Sequence, residues 1–154
     1  MSMIRRAVPE DLDTLIQMGE RFFAYSCFAN IVAFDRETVR ASLEALICSD
    51  TSLVLVAVVD GQIIGGIAGT LAPLWFAPEM LSATEFAWWI DEAHRGGVSA
   101  VRLLRAFERW AKTCGAAVVS MSDLVIDGQT PAGNLFDRLG YVVVERSHVK
   151  RLGG

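Results

Sequence analysis

The sequence predicts an α/β (α+β) domain in three layers: a mixed, mostly antiparallel central sheet of about six strands with helices on both faces. Three observations predict it. β-Branched runs and runs with helical apolar spacing are intermingled along the chain, in the order β-α-α-β-β-β-α-β-α-β. Asp60-Gly61 joins two apolar runs near the middle, a strong signal for a tight antiparallel hairpin. Of 154 residues, 53% are hydrophobic. That is enough for a real core and too apolar for a disordered chain. Residues 1–154 are read as a single domain.

Ile4 to Val8 reads as the first strand. Pro9 suits the first position of a helix, and Glu10 and Asp11 suit the positive end of its dipole. Leu12, Leu15, Ile16, Gly19, Phe22 and Phe23 recur at helical spacing and carry that helix to about residue 24. Asp35 is placed to cap a second helix, with Val39, Leu43, Leu46 and Ile47 on one face. Ser52 to Val59 is too uniformly apolar to be half exposed, so it reads as a strand covered on both faces. Asp60-Gly61-Gln62 turns the chain into a strand from Ile63 to Leu71, which Pro73 to Pro78 breaks. Glu85 to Ile90 reads as the fourth strand.

After His94-Arg95-Gly96-Gly97 comes the clearest helix. Val101, Leu104, Phe107, Ala111 and Cys114 form its stripe, Arg102, Arg105, Arg109 and Lys112 face away, and Gly115 caps its end. Ala116 to Met121 follows as a fifth strand. Thr130-Pro131 opens a short helix through Leu135, Phe136 and Leu139, which Gly140 ends. Tyr141 to Val149 reads as the last strand.

Composition excludes several function classes. Fourteen Lys+Arg against 18 Asp+Glu leave a net charge of −4, which disfavours a general nucleic-acid binder. Cys27, Cys48 and Cys114 are odd in number and form no CxxC pair, and His94 and His148 lie far apart. Neither a disulfide framework nor a metal site is expected. Met1 to Arg6 lacks an apolar secretory core, so a reducing cytoplasm is the expected compartment. The uncharged stretch Gly61 to Pro78 has the length of a membrane span. Its prolines, its glycines and the Asp60-Gly61 turn make it a buried hairpin instead.

The chemistry concentrates where a strand, a loop and a helix meet: Trp88-Trp89-Ile90, then Asp91 to Ala100, then Val101 onward. Glycines allow close backbone approach, and the free N–H groups of a helix start attract anions. Arg95 adds a fork suited to phosphate oxygens. The alternative is a Gly-rich turn that only caps a helix, with Arg95 solvated.

This loop and the element order resemble the GNAT superfamily of N-acetyltransferases. The family's loop has the form Q/R-x-x-G-x-G/A and holds the pyrophosphate of acetyl-CoA. Ile90 fits the strand end, Arg95 the Q/R position, Ala100 the G/A position, and Leu103-Leu104 the paired leucines one turn on. Asn134 to Tyr141 resembles the closing signature, and Ile4-Arg5-Arg6-Ala7 with Glu10-Asp11-Leu12 the opening one. The resemblance spans nearly the whole chain. It implies acetyl-CoA as co-substrate and no metal. Arg95, Gly96, Gly97, Val98, Ser99 and Ala100 hold the diphosphate, Trp89 and Ile90 offer main-chain N–H groups to the thioester, and Asn134 contacts CoA.

Two departures stand out. Val98 replaces the loop's middle glycine, whose place is taken by Gly97. Phe136 stands where many members carry the tyrosine that protonates the departing thiolate, leaving water, Ser122 or Tyr141 as donor, or a thiolate that leaves unaided. The reaction implied is acetyl transfer to an amine of a small molecule or peptide, which needs a base. Glu85, among Phe86, Ala87, Trp88 and Trp89, is the first candidate, because burial raises a carboxyl pKa. Its alternative is an exposed or arginine-paired carboxylate, and Asp123 is the second candidate. Of Trp88 and Trp89, one packs in the core and one borders the acceptor site, unless both are core. Phe22, Phe23, Tyr25 and Phe28 lie where the family shapes its acceptor pocket. Leu74-Trp75-Phe76, if exposed, suggests a partner surface such as that of a homodimer. The competing class is a non-catalytic acyl-CoA-binding or interaction module on the same fold.

Overall fold

A computed structural model describes residues 1–153. Its sheet is built of β1 (Met3–Arg6), β2 (Ser52–Val59), β3 (Gln62–Leu74), β4 (Ala77–Ile90) and β5 (Ala116–Ser120), side by side in chain order. The first three junctions are antiparallel and β4–β5 is parallel. α1 (Leu12–Ala24) and α2 (Arg36–Cys48) lie on one face and α3 (Ser99–Thr113) on the other, giving the three layers. A short α4 (Gly133–Arg138) follows β5.

The uniform apolar run of β2 explains itself once both faces are seen. Leu53, Leu55 and Ala57 pack with Leu103, Phe107 and Ala111 of α3, while Val54, Val56 and Val58 pack with Leu15 of α1 and Leu43, Leu46 and Ile47 of α2. Each large side chain so buried contributes about 1.5–3 kcal/mol. Phe107, Leu103 and Leu104 are fully enclosed.

Three elements differ from the sequence reading, each for a local reason. Pro9–Asp11 is a 3₁₀ turn, and α1 begins only at Leu12. The Asp11 carboxylate accepts two hydrogen bonds from Arg5, at 2.6 and 2.9 Å, and one from the Val8 N–H at 2.9 Å. This side-chain arrangement displaces the helical one, and the guanidinium holds Asp11 below the usual carboxylate range. Asp35 caps α2 as predicted, accepting from the Thr38 N–H at 3.0 Å.

The second difference is that Pro73 and Pro78 do not break the chain. They lie within β3 and β4, which join through Trp75-Phe76 with Leu74 opposite Ala77. Pro73 lies beyond the β2 ladder, which ends at Thr70, and Pro78 lies before the β5 ladder, which begins at Leu81. Each strand has only one neighbour there, so a missing N–H is tolerated. The uncharged Gly61 to Pro78 stretch is therefore hairpin, and no helix among the described residues is long and apolar enough to cross a membrane.

Third, Tyr141 to Val149 forms no strand, and the sheet has five strands, close to the six or so expected. Tyr141 is anchored to the helix layer, its hydroxyl donating to Glu108 of α3 at 2.9 Å and its ring 5.3 Å from that of Phe136. The valines that follow are exposed.

Candidate functional site

The parallel ladder between β4 and β5 ends at Thr84 opposite Ser120, yet β4 runs on to Ile90. Its outer edge from Glu85 onward has no strand partner, and the two strands part into an opening. At the same point the β3–β4 register shifts, because Ala68 faces Ala87 while Gly69 faces Glu85. Phe86 is the extra residue of a β-bulge. Gly69 makes the bulge feasible, since a Cβ there would stand 2.5 Å from the Thr84 carbonyl oxygen and 2.6 Å from the Phe107 ring.

The bulge decides which side chains meet. Ala83 faces α3, and Glu85 shares its side by alternation. Beyond Phe86, Trp88 and Ile90 again pack on the α3 side, while Ala87 and Trp89 turn toward α1 and α2.

Glu85 is only 5% exposed. It accepts a hydrogen bond from the Ser122 N–H at 3.1 Å. Burial pushes its pKa up to about 7, opposed by that N–H and reinforced by the charge of Asp123. Asp123 is itself raised, by burial first and by Asp137 second, and its Oδ1 is buried without a hydrogen-bond partner. The indole Nε1 of Trp88 is likewise buried and unpartnered. A carboxylate poised near neutrality beside an unpaired strand edge can accept and hold a proton at physiological pH.

Proton donors are scarcer. Phe136 packs between Trp88, at 5.5 Å between ring centres, and Tyr141. The Tyr141 proton is committed to Glu108, and burial pushes its pKa up further.

At the mouth of the opening, β4 leads into a 3₁₀ turn (Glu92–His94) and then Arg95-Gly96-Gly97-Val98 before α3. Gly96 has φ +81°, a conformation that favours glycine, and a Cβ there would meet nothing within 4 Å. Val98 is the N-cap of α3 and provides no side-chain cap, so the first N–H groups of the helix have no such partner. Ser99 does not face that space. It is buried, and its hydroxyl donates to the Ser2 hydroxyl at 2.9 Å, while Arg102 bonds the Ser2 carbonyl. Loop and helix start thus form the open, N–H-rich surface that a diphosphate requires.

Arg95 is not extended over this loop. Its Nε donates to the Ile90 carbonyl at 2.9 Å, and its guanidinium lies 4.3 Å from the Trp89 ring centre and 5.6 Å from that of Tyr25. Trp89 in turn meets Phe22 at 5.8 Å and Tyr25 at 5.3 Å, and its Nε1 donates to Asp91 at 2.9 Å. Asp91 also accepts from Arg21, whose Nη2 donates at 2.9 and 3.0 Å and whose Nε donates at 3.2 Å. An apolar cavity of about 220 Å³ adjoins this wall, between α1, α2 and the sheet, with Phe22, Phe86 and Trp89 in its lining.

Ile90, Arg95 and residues 96 to 100 therefore fall on one continuous turn, with Glu85 one bulge upstream. Asn134 is exposed on α4, the helix whose Phe136 packs on Trp88. The two tryptophans divide, Trp88 toward the core with Phe136 and Trp89 toward α1. Sequence reading missed the Arg21–Asp91 pair and the Ser122 N–H on Glu85. Both contacts join residues distant in sequence and leave no local signal. Among the described residues no group of three or more His, Cys, Asp or Glu could hold a metal.

Residues 19–141 match the acetyltransferase (GNAT) family. No curated protein matches the chain. Among solved structures, an aminoglycoside acetyltransferase from an uncultured soil metagenomic sample is similar at 20% identity, with 100% of this chain and 99% of that one covered and a TM-score of 0.73. A ribosomal-protein-alanine N-acetyltransferase from Brucella melitensis biovar Abortus is similar at 14% identity, with 98% and 99% covered and a TM-score of 0.74. An aminoglycoside N-acetyltransferase, AAC(6')-Iy, in complex with CoA is similar at 15% identity, with 99% and 95% covered and a TM-score of 0.77. At such identities the likeness is one of fold.

Proposed function

Because the chain belongs to the GNAT acetyltransferase family, we propose that it moves an acetyl group from acetyl-CoA to an amine of a small molecule or peptide. The observation that carries this reading is Glu85, buried beside the β4–β5 opening with a pKa near 7. The free cysteines Cys27, Cys48 and Cys114 suit the reducing cytoplasm in which we place the reaction.

Acetyl-CoA supplies an activated acetyl thioester. Main-chain N–H groups of residues 96 to 100 hold its diphosphate, and Arg95 leaves the faces of Trp89 and Tyr25 to join them. The main-chain N–H of Ile90, turned away from β3, steadies the thioester oxygen, while the Trp89 N–H faces β3. Glu85 takes the proton of the amine, directly or through one water, as the nitrogen bonds to the carbonyl carbon and the C–S bond breaks. With Phe136 lacking a proton and Tyr141 bonded to Glu108, the leaving thiolate takes its proton from water or Ser122.

Phe136 also favours a second reading, a non-catalytic acyl-CoA-binding module. Thermal unfolding with acetyl-CoA, followed by thiol release with a panel of amines, separates the two. At a hundredfold excess over Kd, a ligand adds about 2.7 kcal/mol of stability. No stabilisation removes both readings, and stabilisation without thiol release leaves the binding module. Arg95→Glu is expected to weaken acetyl-CoA about tenfold or more, since hydrogen bonds to charged groups contribute about 1.5–3 kcal/mol. Unchanged affinity removes the diphosphate site.

A further inference from the structure

We propose that the amine acetylated by this chain is carried on an uncharged apolar body the size of one aromatic ring, and that the cavity of about 220 Å³ between α1, α2 and the sheet receives that body. The proposal rests on the acetyl-transfer reading and adds the class of acceptor to it. The cavity exists because the sequence puts little bulk there. Its floor is Gly66 and Ala68 of β3 and Ala87 of β4. A Cβ at Gly66 would stand 3.0 Å from the Leu55 carbonyl oxygen, so a larger side chain is resisted. Its roof is α2. Val39, Leu43 and Leu46 present an apolar stripe to the cavity, yet no residue of α2 is buried. Ion pairs to α1 help to hold the helix, Arg36 with Glu20 at 2.5 Å and Arg40 with Asp13. A stripe left half covered is unfinished packing, which an apolar occupant completes. An apolar cavity of about 150 Å³ takes up benzene, so a ring with a short chain fits the larger space here.

Charge decides the class. Among the described lining residues only Ser42 and Trp89 carry polar side-chain atoms, and the Trp89 Nε1 is spent on Asp91. The carboxylates of the two helices and the loop are spent as well, Glu20 on Arg36, Asp13 on Arg40 and Asp91 on Arg21. A sugar or a polycation would lose its water here without gaining partners, which costs free energy. A ring loses nothing and gains the faces of Phe22, Phe86 and Trp89. The cavity also reaches the chemistry. Phe86, the extra residue of the β-bulge, lines it and directly follows Glu85, where the outer edge of β4 is unpaired. With the ring seated, a short chain brings the amine round that edge. Its nitrogen bonds to the acetyl carbon, the C–S bond breaks, Glu85 takes the nitrogen's proton, and the thiolate takes one from water or Ser122.

The test is thiol release by the full chain with acetyl-CoA, comparing 2-phenylethylamine with glucosamine, an amine on a polar ring, and with alanyl-alanine. The expected kcat/KM favours 2-phenylethylamine by about a hundredfold or more. Ethylbenzene, which has the ring and no amine, should raise the unfolding temperature of the natural chain without acetyl-CoA and compete with 2-phenylethylamine. Val39→Trp fills the cavity from α2. It should cut kcat/KM for 2-phenylethylamine by about tenfold or more and abolish the ethylbenzene shift, while far-UV circular dichroism and acetyl-CoA affinity are kept. The ethylbenzene measurements on the natural chain decide the matter even if V39W fails to fold. Equal or better turnover of glucosamine or the dipeptide overturns the proposal. So does turnover of 2-phenylethylamine that ethylbenzene leaves unchanged. If amines release thiol and ethylbenzene does not bind, the acceptor class alone falls. If ethylbenzene binds and no amine releases thiol, the acetyl-transfer reading falls and takes the acceptor class with it.

Discussion

Glu85 titrates near neutrality because water is kept from it, and two consequences follow. As a base it works only when ionised, so turnover should rise with pH through about 7 and level off above. Glu85→Gln should lower kcat by about a hundredfold or more and leave the affinity for acetyl-CoA unchanged. A kcat and pH profile like the natural chain's would sink the role. The second consequence concerns stability. An acid whose pKa is raised on folding holds its proton more tightly when folded, so stability falls as pH climbs from 4.5 through about 7. Above that range the loss is at most about 3 kcal/mol. E85Q removes it, so melting temperatures of variant and natural chain should shift in the variant's favour between about pH 5 and about pH 8. The raised carboxyl was legible from its apolar neighbours in sequence. The resting place of Arg95 was not, because Tyr25 lies on a different element and only tertiary packing brings it to the guanidinium.

Among the elements, the β3–β4 pair bears the tightest constraint. Gly69 lies between the Thr84 carbonyl and the Phe107 ring, and neither backbone nor a fully enclosed ring can yield. Gly69→Ala should destabilise the protein by about 1–3 kcal/mol, read as a fall in the denaturant midpoint. Gly97→Ala, whose Cβ would meet only the His94 oxygen at 3.8 Å, should shift it little. Elements with a strong internal signal were legible within a residue or two: β2 by its uniform run, α2 by the Asp35 cap, and α3 by its stripe and by Gly115 at φ +81°. Those whose fate depends on a neighbour were not. Pro73 and Pro78 look like breakers until the ends of the flanking ladders are known. Tyr141 to Val149 looks like β2 until one asks which edge it can reach.

For the molecule as a whole, the order of elements and the three layers were readable, because both apolar clusters draw on the same strands. Val54, Val56 and Val58 serve one, and Leu53, Leu55 and Ala57 the other. Neither cluster can melt without removing half the support of β2. Calorimetry should therefore show one unfolding transition, with two resolved transitions counting against a single domain. The number of strands was less secure, since a sheet's boundary is set by what lies beyond its last edge. The extra residue at Phe86 reaches across this same scale. It resets the parity of β4, so that odd positions before it and even positions after it look toward the same layer. Any relative lacking that residue would present its two indoles with their neighbourhoods interchanged, and residue-by-residue alignment across the kink would then match side chains that never share a compartment.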